Sequence, residues 1–253
     1  MQKLVFFLLF CWVHGLYAQP YAYITNQGDN SVSVIDTNTN TVIQTIAVGH
    51  RPAGVVVSSN GKRVYISNPE SKNISVIDTK TLTNIKTIKI GSGPLAIAIS
   101  PNDQSVYVAD WYEDSIFIVD AASLSIRNKI KVGDSPSGLA VSPDGQFLYV
   151  ANRDENTIMI INLSKNKIVD TIKVGIAPFG LALNAKRNEL YSANVRSNNV
   201  SVINLFTKKV MNIQVGNFPY AIAVDNIDER LFVTNQRSNT VSVINLSEMK
   251  TVK

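Results

Sequence analysis

The stretch PAGVVVSSNGKRVYISNPESKNISVIDTKTLTNIKTIKIG (52–91) decides the fold. It holds four short β signals separated by turns. AGVVVSS is a run of small and apolar residues. NGKR is a turn in which Gly61 can take positive φ. RVYISN is β-branched and aromatic, and PESKN turns again. NISVIDT and IKTIKIG then alternate in the period of two that a strand requires. No helical periodicity occurs in this unit or in the others.

The unit echoes through the chain. Asn26, Asn68, Asp110, Asn152, Asn194 and Asn235 occupy one position, with spacings of 42, 42, 42, 42 and 41. Gly49 with Pro52, Gly91 with Pro94, Gly133 with Pro136, Gly175 with Pro178 and Gly216 with Pro219 keep step. Four strands in a period of this length predict an all-β propeller of four-stranded antiparallel blades. A β-sandwich would carry turn signals without the echo. Six repeats follow, at about 21–49, 50–91, 92–133, 134–175, 176–216 and 217–253. The first strand of each blade lies at the axis, where Gly54, Ala98, Ala140, Ala182 and Ala223 suit close packing.

The copy PSGLAVSPDGQFLYVANRDENTIMIINLSKNKIVDTIKVG (136–175) resembles the repeat of YVTN-family β-propellers, and the resemblance covers 21–253. It implies an exported propeller, commonly seven-bladed, of a kind found as surface or periplasmic binding proteins. The wider clan includes propeller lactonases and redox-enzyme subunits.

Residues 1–18 read as a cleaved signal peptide. Lys3 precedes the apolar run LVFFLLFCWV (4–13), and Ala18 offers a small residue before Gln19. Ten residues are too few to span a bilayer, which takes about 20. The mature chain, 19–253, then keeps no Cys, one Trp (Trp111) and one His (His50), and its net charge falls from +5 to +4 with Lys3. We expect an exported protein, periplasmic or at the cell surface, with no transmembrane segment in its mature chain, and a monomer. In this register the chain enters on a second strand and ends early in an outer one. Read that way, the ring is unclosed, and the sequence is expected to be C-terminally truncated from a six- or seven-bladed parent.

The candidate chemistry is sparse. One His and no Cys argue against a His/Cys metal centre or attached haem, and no phosphate loop is readable. No cofactor is expected. The repeated Asn reads as structural, and Asp110 as drift at that position. The loops of one face, here called the top, vary while the frame stays fixed, as expected of a scaffold that carries function on its loops. They supply the candidate ligand-binding set Trp111, Tyr112, His50, Arg51, Arg153, Arg196 and Arg237. Phe179, Phe218 and Tyr220 are expected to pack between blades beside the prolines. The reading favoured is a non-catalytic recognition scaffold for a polymer, peptide, small ligand or protein partner. Two alternatives stand beside it. One is single-stranded nucleic-acid binding by interleaved Arg and aromatic residues. The other is a lactonase-like hydrolase using Asp110, Glu113 and His50.

Overall fold

A computed structural model describes residues 20–225, 227 and 229–252. The proposed signal peptide, 1–18, lies outside the described residues. The chain forms six antiparallel blades arranged about an axis. Blades 2 to 6 each have four strands in sequence order, and blade 1 has three (Tyr21–Asn26, Ser31–Asp36 and Thr41–Ala47). Blade 3 is representative: inner strand Pro94–Ile99, second Ser105–Asp110, third Ser115–Asp120, outer Ser125–Lys131. Among the described residues no strand pairing joins the first blade to the last. The last outer strand is the two-residue Lys250–Thr251.

The alternation in the sequence explains why blades stack. Each second and third strand sends successive side chains to opposite faces, and both faces meet a neighbouring blade. The core is therefore divided into five clusters, one per inter-blade seam. Tyr65, Ile74 and Val76 of blade 2, for example, pack on Val106, Val108 and Phe117 of blade 3. Outer strands cover this core with one residue each, such as Ile88, Ile130 and Ile172, and are otherwise largely exposed.

Inner strands approach closely two residues after the proline, at Gly54, Gly138 and Gly180. Gly54 is as expected, and the other two stand two places before the expected Ala140 and Ala182. A Cβ on Gly138 would stand 1.8 Å from the Phe179 carbonyl oxygen, and one on Gly180 would stand 2.3 Å from that of Tyr220.

Candidate functional site

The repeated Asn is buried in blades 2, 4, 5 and 6 and half-buried in blade 1, and it ties its blade together. Asn68 Nδ2 donates to Asn73 Oδ1 and Ser75 Oγ on the third strand, and Asn194 and Asn235 do the same in their own blades. The glycine that opens the preceding loop lies against this side chain. A Cβ on Gly49, Gly175 or Gly216 would come within 2.6–2.7 Å of it.

A second rule links neighbouring blades. The residue before each proline donates its backbone N–H to a hairpin side chain of the preceding blade. Arg51 bonds Asn30, Ser135 bonds Asp114, Ala177 bonds Asn156 and Phe218 bonds Asn198. In all four the residue before proline sits at a φ of 52–58°. That left-handed conformation is unusual for a residue with a side chain.

Blade 3 departs from both rules together. Its loop is Gly91–Ser92–Gly93–Pro94, and the residue placed to cap Gly93 is Lys72, which has no acceptor atom. Asp110 supplies the acceptors instead. Its Oδ2 accepts from Ser92 N (2.7 Å) and Gly93 N (2.8 Å), and its Oδ1 from Tyr112 N (3.1 Å) and Glu113 N (2.9 Å). Phe117 stands where Ser75 gives Asn68 a hydroxyl partner in blade 2. The left-handed residue moves to Gly91 (φ 55°), where glycine takes it without steric cost. Asp110 is thus one member of a linked set, Lys72, Gly91, Gly93, Asp110 and Phe117, rather than isolated drift.

The linked set shapes a site. Trp111 N donates to Gly93 O (2.9 Å). The Tyr112 ring lies over Gly93 so closely that a Cβ there would be 2.4 Å from Tyr112 Cδ2. Trp111 and Tyr112 then wall a cavity of about 290 Å³ with Gly93, Leu95, Pro69, Phe179 and Tyr220. Leu95, Phe179 and Tyr220 each directly follow an inner-strand proline, so they surround the axis. The Trp111 and Phe179 centroids are 6.4 Å apart, and Phe179 meets Tyr220 edge-on at 4.7 Å. These geometries are favourable for aromatic pairs.

Of the expected set, Trp111, Tyr112 and Arg153 come together: the Arg153 guanidinium stacks on Trp111 at 5.4 Å. Arg153 also pairs with Asp154 at 2.6 Å. The others lie apart from the cavity wall. Arg51 pairs with Glu70, and Arg237 covers Phe218 at 3.8 Å. His50 and Arg196 are exposed on their loops. Phe179 of blade 5 and Tyr220 of blade 6 meet between blades as expected, and they also wall the cavity, which was not expected. Their place directly after the proline, the first inner-strand residue at the top of the axis, is the signal that could have found them.

The acid–base trio imagined for hydrolysis is not assembled. Asp110 is committed to four amides, while Glu113 accepts from Ser92 Oγ (2.8 Å) and Lys129 Nζ (2.5 Å). Those hydrogen bonds, Lys129 first and Ser92 second, hold the Glu113 carboxyl below the usual range. The sign follows from linkage. The stability Glu113 contributes is present above its unfolded pKa and is lost as pH falls through the depressed folded value. We expect Glu113→Gln to flatten the fall in Tm between about pH 5 and pH 3. An unaltered slope in thermal melts would contradict it.

The comparisons with known proteins bear on this geometry. The model of the choice-of-anchor I domain matches residues 70–253, nearly three quarters of the chain. The chain belongs to the choice-of-anchor I domain family. A second model, that of the seven-bladed β-propeller lactonases, matches residues 14–125. Among solved structures, this family member resembles hydrazine synthase of Kuenenia stuttgartiensis, with a TM-score of 0.82 and 22% identity over 91% of this chain and 74% of that one. A protein of unknown function from Desulfotomaculum acetoxidans DSM 771 gives 0.81 and 16%, over 94% and 82%. The dihydro-heme d1 dehydrogenase NirN gives 0.69 and 14%, over 94% and 63%. At these identities the likeness is one of fold. A curated relative, PE_PGRS18 of Mycobacterium tuberculosis, is 53% identical over 47 residues, a stretch that is 18% of this chain and 10% of that protein.

Proposed function

We propose that the chain is an exported, non-catalytic recognition module that seats the flat face of a ligand, an aromatic ring or a sugar, in the axial cavity of its top face. One observation carries the reading. A cavity of about 290 Å³ at the mouth of the axis is walled by Trp111, Tyr112, Phe179, Tyr220, Leu95, Pro69 and Gly93, a lining without carboxylate, imidazole or ammonium. Its size is at the lower edge of small-molecule sites, which suits one ring or one sugar unit of a longer polymer. Aromatic walls recognise such faces through contact area and ring electrostatics. Arg153, 5.4 Å from the centre of the Trp111 ring, supplies a charge beside that wall.

The test is a titration of the full chain with cell-wall glycans, short peptides, single-stranded oligonucleotides and lactones, following the emission that Trp111→Phe removes. We expect a saturable shift with one class and a loss of at least tenfold in affinity in Trp111→Ala, as for an aromatic anchor at the centre of a site. Binding that Trp111→Ala leaves intact would move the site elsewhere. Binding that weakens steeply with salt would favour the nucleic-acid reading.

A second reading rests on the lactonase model matched over 14–125. That reading would set lactone hydrolysis on the same face, outside the axial cavity. His50 is the imidazole that reading would need, and it is exposed on the loop before blade 2. Turnover of a lactone panel that His50→Ala abolishes would support hydrolysis. Equal turnover in both proteins would remove His50 as its base.

A further inference from the structure

The bottom of each inter-blade seam has a slot between the start of one blade's second strand and the end of the next blade's third strand. Three slots hold a guanidinium. In the seam of blades 2 and 3, Arg63 reaches across to the Ala121 carbonyl. In that of blades 3 and 4, Arg127 from the outer strand bonds Ser105 Oγ (2.9 Å). In that of blades 5 and 6, Arg187 bonds Glu189 (2.9 Å) and lies 3.6 Å from Glu229. The seams between blades 1 and 2 and between blades 4 and 5 have none at these places. In the second of these, Phe147 replaces Arg63, Val169 replaces Arg127, and Leu205 stands at the place of Ala121. A cavity of about 610 Å³ opens there.

Its lining is suited to a cation. Asp144 and Asp170 lie in its wall, with Lys208 as the one basic group. Lys208 Nζ is 3.6 Å from Asp170, a loose and half-exposed pair. Tyr149 also lines the cavity, is only 6% exposed, and its hydroxyl has no partner among the described residues. The equivalent Tyr191, in the next blade, bonds Glu189 at 2.7 Å. The Tyr149 hydroxyl is thus free to hydrogen-bond a group that enters the cavity. Phe147 and Tyr149 add ring faces on which a guanidinium can stack.

We propose that this seam is a docking site for an arginine side chain of a peptide or protein partner, which occupies the slot that the chain's own arginines fill in three sibling seams. The guanidinium shares Asp170, donates to the Tyr149 hydroxyl and lays its methylenes on Leu205 and Phe147. The site is separate from the axial cavity and does not depend on its function.

Calorimetric titration of the full chain with N-acetyl-arginine methylamide and with agmatine tests it. We expect saturable binding that is about tenfold weaker in Asp170→Asn, the range for a charge-assisted hydrogen bond. Lys208→Met, which removes the competing ammonium, should tighten it. Val169→Arg places an arginine where Arg127 stands in blade 3. Val169 is half exposed and accommodates the change, and the variant should no longer bind either probe. Trp111→Ala should bind both as the unaltered protein does. Absence of saturable binding in the unaltered protein would overturn the proposal. So would a Val169→Arg or Asp170→Asn protein that binds agmatine equally well.

Discussion

Replacing Asp110 by asparagine, the residue that the other blades carry at this position, is expected to destabilise the protein by about 2–4 kcal/mol. The carboxylate is fully buried and accepts from four backbone amides, two on each oxygen. An asparagine keeps one acceptor oxygen. Whichever way its amide turns, two of the four N–H groups then face an NH₂ and lose their acceptor. The partner that rewards Asn68 in blade 2, Ser75 Oγ, is replaced here by the ring of Phe117. The second substitution Lys72→Asn should recover part of the loss, because it restores the cap that Asn30 gives Arg51. Chemical denaturation of the two single variants and the double variant reads this directly. Strict additivity would sever Lys72 from Asp110. An Asp110→Asn protein within about 0.5 kcal/mol of the original would sink the account altogether.

That result would also explain what could and could not be read from the sequence. The 42-residue echo was sufficient for blade number and strand order, because each blade's local pattern agrees with the whole. Position in the ring followed from the same register, so Trp111 and Tyr112 could be placed on a top-face hairpin. The axial cavity could not be foreseen. It is built where three inner strands, separated by 84 and 41 residues at Leu95, Phe179 and Tyr220, bring their first side chains to one point. A linear pattern does not say whether such a residue faces the axis or the adjacent blade. The role of Asp110 was hidden for a related reason. Its meaning depends on Lys72 in the blade before it and on Gly93 in the loop between, and a column of equivalent residues shows only that Asp replaces Asn.

The axis provides the second large effect, and it ties the frame to the site. Gly138→Ala is expected to cost about 3–5 kcal/mol, well above the usual penalty for one extra methyl in a core. The new Cβ would sit 1.8 Å from the Phe179 carbonyl oxygen, a backbone atom that no rotamer change can move. Relief requires the inner strands of blades 4 and 5 to separate. The same crowding is graded elsewhere, at 2.3 Å for Gly180 against Tyr220 O and 2.6 Å for Gly54 against Leu95 O. The expected order of destabilisation is therefore Gly138→Ala, then Gly180→Ala, then Gly54→Ala. The reverse changes Ala96→Gly and Ala221→Gly should cost no more than about 1 kcal/mol, the conformational penalty of glycine in a strand. The carbonyls pushed at the three sites belong to Phe179, Tyr220 and Leu95, all of which wall the cavity. Affinity for a top-face ligand should therefore fall in the same order as stability, at a temperature where all three variants remain folded. Melting temperatures and titration through Trp111 give the two orders independently. If stability followed the stated order while affinity did not, the inner strands would be a frame that holds the blades without setting the shape of the site.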